Sequence, residues 1–342
     1  MDVEFKFVGD VGQERALFIK QARPHPGCCP GASRDREVTL MRFFVLSLLT
    51  ASMLALATCA PGPGAPDNTD PPTNGTDPPD DNLVDCESVT LDGACGIGEK
   101  IGSFSVVHEE GYSVLSGEVA DGIVPATILQ KSSESGDCVL LWEVAPVCDP
   151  ACPSGTTCDY DGTCIPYPSA LSVGTVVVRG LKERIDMEPT TPGNAYSDAQ
   201  LPHPAFDPGA CIELLAEGGD IDGFTLHGVG VTPLEIPDES WVLRYDQPLT
   251  ISWTPSTDDR SSIVLTISID QPGVWPVTLV CDAEDNGLFT VPAEMVNALM
   301  DFGFTDFAKA DIYRRTVDST ETMHGCVEFK VLSHREVDIR VE

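Results

Sequence analysis

Between Cys148 and Cys164 the chain reads CDPACPSGTTCDYDGTC, four cysteines at the spacing C-x3-C-x5-C-x5-C. The intervening residues are Pro, Gly, Asp, Ser, Thr, Ala and one Tyr. Such a segment cannot bury a hydrophobic core, so its order must come from covalent bridges. Zinc is the weaker reading, because zinc sites favour C-x2-C pairs and reducing compartments. Disulfides form after export, so the chain needs an export signal.

That signal lies forty residues in, where MRFFVLSLLTASMLALATCAPGPG begins at Met41. Arg42 supplies a positive start, and Phe43 to Ala57 is apolar apart from Ser47, Thr50 and Ser52. The run is shorter than the roughly 20 residues of a membrane span and suits a secretory signal. Residues 1–40 carry no periodic element and read as translated upstream sequence, with initiation expected at Met41. Leu56-Ala57-Thr58-Cys59 resembles the bacterial lipobox, with Thr58 where Gly, Ala or Ser is usual. The resemblance implies signal removal over 41–58 and lipidation of Cys59.

Of the 13 cysteines, Cys28 and Cys29 fall in the upstream segment and Cys59 is the lipid site. The ten left form an even set, as complete pairing requires: Cys86, Cys95, Cys138, Cys148, Cys152, Cys158, Cys164, Cys211, Cys281 and Cys326. Six of these lie outside the compact cluster, three on each side, and three cannot pair among themselves. At least one bridge must therefore join the two flanks. A Cys281–Cys326 bridge with Cys211 as the crossing residue is the expectation. Within the cluster, four cysteines allow three pairings.

The formal net charge is −34, and the residues ahead of Cys59 carry few of the acids. Phosphate recognition needs clustered Lys and Arg, so nucleic acid is excluded as a partner. Anionic lipid would be repelled as well, which leaves membrane attachment to the lipid anchor.

Residues 59–82 are Pro, Asp, Asn, Thr, Gly and Ala beyond the cysteine, a composition expected to form a solvated tether. From 83 to 147, Phe104 and Val106, Tyr112 and Val114, and Cys138, Leu140 and Trp142 alternate with other residues, which predicts a small β domain. Residues 148–168 are the cysteine-rich motif. From 169 to 342 strands recur at sandwich-like spacing. Leu249, Ile251 and Trp253 share one face, and Ile263, Leu265, Ile267 and Ile269 repeat the pattern. Other strands are expected at Gly174–Gly180, Ala210–Ala216, Ser240–Tyr245, Val277–Cys281, Ala308–Arg315, Cys326–Leu332 and Val337–Val341. One helix interrupts them, with Pro292 in its first turn, Met295, Val296, Leu299 and Met300 on its apolar face and Gly303 as its stop. The fold class is all-β: a small disulfide-linked β domain, a cysteine-rich knot, then an antiparallel β-sandwich with one short helix.

Three resemblances accompany these residues. The 148–164 segment looks like a truncated epidermal-growth-factor-like module lacking its last two cysteines, and that family's interlocked pairing implies Cys148–Cys158 and Cys152–Cys164. The ISWTPSTDD…IVLTISI pair resembles two strands of fibronectin-type-III-like sandwiches. The whole order of lipobox, acidic tether, GSFSVVHEEGYSVLSGEVADGIVPA, cysteine motif, SVGTVVVRGL and DAEDNGLFTVPAEMV is similar to myxobacterial-type surface lipoproteins. This likeness brings no assigned activity.

No nucleophile elbow, metalloprotease helix, P-loop or dinucleotide fingerprint occurs. His108, His203, His227, His324 and His334 are not at ligand spacing and read as solvated or hydrogen-bonded residues. Asp282-Ala283-Glu284-Asp285-Asn286-Gly287 begins like a calcium loop, with Asp282, Glu284 and Asn286 as candidate ligands. It departs from the pattern at Glu284 and at Ala293, where a bidentate Glu is needed. Asp220-x-Asp222 and Asp159-x-Asp161 are shorter acidic turns, a form common without metal. Trp253, Trp142 and Trp241 belong to strand patterns, while Trp275 stands beside a turn as the exposed aromatic of a conceivable glycan platform. The expectation is a non-catalytic binding, adhesion or structural protein, lipid-anchored at the outer membrane or cell surface. It has no cofactor apart from the calcium candidates, and its partner is an envelope protein or glycan. An envelope hydrolase and a passive spacer are the alternatives.

Overall fold

The computed structural model describes residues 89–342 apart from 199–200, 239, 270–275 and 304–307. Cys59, the tether, Cys86 and Trp275 lie outside the described residues, as do the residues ahead of Cys59.

The all-β expectation is met by eighteen strands and one α-helix among the described residues. The first six are β1 (Lys100–His108), β2 (Ser113–Val119), β3 (Leu129–Ser135), β4 (Cys138–Glu143), β5 (Thr156–Cys158) and β6 (Cys164–Pro166). They are followed by β7 (Val176–Arg179), β8 (Ile185–Met187), β9 (Tyr196–Asp198), β10 (Cys211–Gly218), β11 (Asp222–Val229) and β12 (Ser240–Leu243). The rest are β13 (Leu249–Ser252), β14 (Ser262–Ile269), β15 (Val277–Glu284), β16 (Leu288–Val291), the helix α1 (Ala293–Met300), β17 (Lys309–Glu321) and β18 (Cys326–Val341).

One ten-stranded sheet runs β3-β4-β15-β14-β17-β18-β1-β2-β9, with β12 paired in parallel to the last residues of β18. A four-stranded sheet, β11-β10-β7-β8, and the pair β13-β16 complete the layers, and β5-β6 forms the cysteine-rich hairpin. The organising element is the β17–β18 hairpin, paired without interruption from Lys309↔Asp338 to Glu321↔Cys326. At about 3.4 Å per residue, β18 extends for roughly 50 Å.

Two cores share its inner face. At one end Ala310, Ile312, Val337 and Ile339 pack with Ile251, Trp253, Leu265, Ile267 and the apolar face of α1. At the other, Val327, Phe329 and Val331 pack with Phe104, Val106, Leu115 and the four-stranded sheet's Val176, Val178, Ile212 and Leu214. Period-two alternation is why one face of each strand packs into a core, because successive side chains point to opposite faces.

The described part of the expected small β domain, residues 89–147, is not a separate unit. β1 adds in parallel to β18, from Lys100↔Cys326 to His108↔Ser333, while β4 adds to β15, from Val277↔Trp142 to Cys281↔Cys138. Two hairpins of this size cannot bury Phe104, Val106 and Leu140 between themselves, so each completes a core on a different flank of the large sheet.

The expected Cys281–Cys326 bridge is also replaced. Cys281 on β15 pairs with Cys138 directly across on β4, with a Cα–Cα distance of 4.0 Å, and Cys326 at the start of β18 pairs with Cys95, at 5.8 Å. Cys281 lies in the core that holds α1, whereas Cys326 opens β18 at the other end of the hairpin. Both bridges join the segments before and after the cysteine-rich motif, which is what the count of three on each side demands. Cys211 is disulfide-bonded too. In the motif itself the bridges are Cys148–Cys158 and Cys152–Cys164. Tyr160 holds this hairpin against the large sheet, its hydroxyl lying 3.2 Å from the Ile128 carbonyl and 3.0 Å from that of Val144.

Candidate functional site

Between the two cores the inner face of β17 and β18 turns polar, and the residues there bind backbone. Thr316 Oγ1 accepts from Val229 N–H and donates to Val229 C=O, while Asp318 accepts from His227 N–H. Ser333 accepts from Leu234 N–H, and Arg335 Nε donates to Leu234 C=O. The segment 227–235 crosses here, and these side chains satisfy backbone groups that a neighbouring strand would otherwise pair.

The centre of this belt is Arg314, whose side chain is 0% exposed, paired with Asp285 at 3%. Arg314 Nε donates to Asp285 Oδ2 at 2.6 Å and Nη2 to Oδ1 at 3.0 Å, a two-toothed contact. Its remaining donors reach the carbonyls of Thr232, Pro233 and Thr254. Asp285 also accepts from Trp253 Nε1 at 2.7 Å and Ser261 Oγ at 2.8 Å. Burial pushes its carboxyl up, but the bonds from Arg314, Ser261 and Trp253 outweigh that and hold it below the ordinary carboxylate range.

This network uses the acidic turn that sequence suggests for calcium. Asp285 points inward to Arg314. Asp282 Oδ2 accepts from Arg315 Nη2 at 2.9 Å, and Asn286 Oδ1 accepts from Leu288 N–H at 3.2 Å. Asp282 and Asn286, two of the three candidate ligands, thus each already hold a hydrogen bond within the protein. The shorter acidic turns behave alike: Asp161 accepts from Thr163, Asp159 from Tyr160 N–H and Asp220 from Ser172 N–H. Among the described residues, the one cluster of three potential metal ligands is Cys148, Cys152 and Cys164, whose sulfurs are committed to bridges.

Beside the belt opens a cleft of about 550 Å³, lined by Gly209, Gly230, Thr232, Asp258, Asp259 and Arg260 among others. Asp258 and Arg260 clasp each other at 2.9 and 2.7 Å, and the Arg260 guanidinium draws the Asp258 carboxyl down. Among the described residues, no histidine lines this cleft.

The histidines sit elsewhere. On the outer face of the large sheet His334 stacks on Tyr313, Nδ1 lying 2.9 Å from Glu109 and Nε2 3.0 Å from Asp311. Burial lowers its pKa, but the two carboxylates overcome this and raise it to about 9, so the ring is charged at neutral pH. His227 lies between Glu213 and Asp318 at 4.0 and 3.8 Å. His203 Nδ1 meets Ser113 Oγ at 3.1 Å, and its ring lies edge-on to His108 at 4.6 Å. His108 is pushed down by burial, then by His203, Arg335 and Lys182. Ser113 is 1% exposed and also accepts from Ala205 N–H. A substrate cannot reach that hydroxyl in this conformation.

Trp253 is 5% exposed and Trp241 3%, both in the core as their alternation implies, and Trp142 is partly buried. The exposed aromatics among the described residues are Tyr112, Tyr160, Tyr167 and Tyr245. Sequence reading misses Arg314 and Arg335. The signal is present, since Arg314 shares strand parity with Ala310 and Ile312 and so must face inward.

No family model and no curated protein matches the chain. Among solved structures it is similar to the chicken CNTN1 FN1–FN3 domains, at 10% identity over 62% of this chain and 65% of that one, with a TM-score of 0.16. It is also similar to a marsupial T cell receptor, at 11% identity over 70% and 72% of the two chains, with a TM-score of 0.15. The chain thus spans 65% of the length of the first, and neither TM-score supports an argument. No helix among the described residues is long and apolar enough to cross a membrane.

Proposed function

We propose that this is a lipid-anchored envelope protein, held at Cys59, whose folded part displays a non-catalytic binding, adhesion or structural surface. The observation carrying this reading is the use of its reactive side chains. Asp285, Asp258 and His334 are each saturated by neighbouring charges that hold strands and loops in place. Among the described residues lining the cleft beside the belt there is no histidine, and Asp258 is held by Arg260. The contact favouring a hydrolase is Ser113–His203, and its nucleophile is sealed from solvent. The oxidised cysteines and the acidic composition fit life outside the cytosol.

Mass spectrometry of the native polypeptide, extracted from membranes, tests the proposal. The expected species begins at an acylated Cys59, lacks residues 1–58 and has no free thiol. A cytosolic, unprocessed chain with reduced cysteines overturns it. Labelling by a fluorophosphonate abolished in Ser113→Ala would replace the non-catalytic reading with the hydrolase.

A further inference from the structure

We infer that Asn286 is a site of covalent self-modification, deamidating through a cyclic imide with water as co-reactant. The residues are those of the acidic turn, and the inference does not depend on the anchoring or display proposed above.

Three features of the turn converge on this reaction. The nucleophile is the Gly287 backbone nitrogen, whose N–H has no hydrogen-bond acceptor among the described residues, while its carbonyl is fixed by Trp253 N–H at 3.1 Å. Gly287 has φ +95°, in the left-handed region that favours glycine, and without a Cβ nothing of its own shields the nitrogen. The electrophile is Asn286 Cγ. Its Oδ1 accepts from Leu288 N–H at 3.2 Å, so a donor already stands where negative charge develops as the nitrogen adds. Finally, Asn286 is exposed, which admits water and removes ammonia.

The chemistry balances without an oxidant. Gly287 N bonds to Asn286 Cγ, the Cγ–Nδ2 bond breaks, and ammonia leaves with the proton lost from Gly287. Water then opens the imide. Cleavage of its bond to Cγ gives aspartate, and cleavage of its bond to the main-chain carbonyl carbon gives isoaspartate. The net change is one water consumed and one ammonia released. Isoaspartate lengthens the backbone by one methylene beside Asp285, the partner of the buried Arg314. The modification therefore acts on the belt between the two cores.

The test uses the folded, oxidised full chain, incubated at neutral to mildly alkaline pH and followed by peptide mapping. A free peptide spanning Asp282–Val291 runs in parallel. The expected result is conversion at Asn286 with two chromatographic products, ammonia released in step, and a rate within about tenfold of the free peptide. A rate slower than that means the fold protects the turn, and overturns the inference. The same threshold excludes reaction through the rare unfolded state, whose population is orders of magnitude below one tenth. Asn286→Gln, checked for an unchanged melting curve, is expected to abolish the products and the matching ammonia. Undiminished ammonia from that variant would also overturn it.

Discussion

Arg314 and Asp285 raise the question of what a fully buried charge pair contributes. Removing both charges for well-packed apolar residues is often neutral, whereas removing one leaves the other stranded. Asp285→Ala is therefore expected to cost about 3–5 kcal/mol in urea denaturation, since Arg314, Trp253 Nε1 and Ser261 Oγ all lose their acceptor. A cost below roughly 1 kcal/mol, the range of exposed pairs, would show that the pair is not desolvated in solution. His334 gives a second expectation, with a defined sign. Its folded pKa of about 9 exceeds the ordinary 6.5, so its stabilisation is complete below that ordinary value and is lost as pH rises through 9. The amount is about 3 kcal/mol. Denaturation curves for the native chain and His334→Gln should converge between neutral pH and pH 10; parallel curves would mean the clamp is not formed. Neither residue was fully legible in sequence. Strand parity turns Arg314 inward, but nothing local reveals that its acceptors lie at 232–233, 254 and 285.

At the level of elements, the alternating strands and the Pro292–Gly303 helix were legible because their signal is local. Ile263, Leu265 and Ile267 mark β14, and α1 is Ala293–Met300 with Met295, Val296, Leu299 and Met300 buried. Pairing partners were not legible. Two expected strands, Cys326–Leu332 and Val337–Val341, are one strand, because polar Ser333 and Arg335 interrupt the apolar pattern while serving the belt. β11 was read only as an acidic turn at its first residues. The bridges follow from pairing, so Cys138–Cys281 became visible only with β4 beside β15. That bridge spans 143 residues of sequence, and chain-entropy reasoning gives it up to about 5 kcal/mol. Replacing Cys138 and Cys281 together by Ala is expected to cost about 2–5 kcal/mol. The measurement is denaturant unfolding with the other bridges intact, and an unchanged midpoint would assign the ordering of β4 to its backbone ladder alone.

For the whole molecule, the question is whether two cores make two domains. Sequence spacing suggests a boundary at residue 147, yet the strands on each side of it interleave in one sheet. β18 carries residues of both cores, on one uninterrupted ladder with β17. Melting one core would strip packing from half of β18 and disturb the frame that holds the buried Arg314–Asp285 pair. The two cores should therefore unfold as one cooperative unit. Leu265→Ala tests one end and Phe329→Ala the other, with expected costs of about 2–5 and 3–5 kcal/mol. Each should move a single calorimetric transition as a whole, with calorimetric and van't Hoff enthalpies in agreement. If each instead shifted its own separate transition, β17 and β18 would be a hinge between independent domains, and the buried Arg314–Asp285 pair would mark their interface.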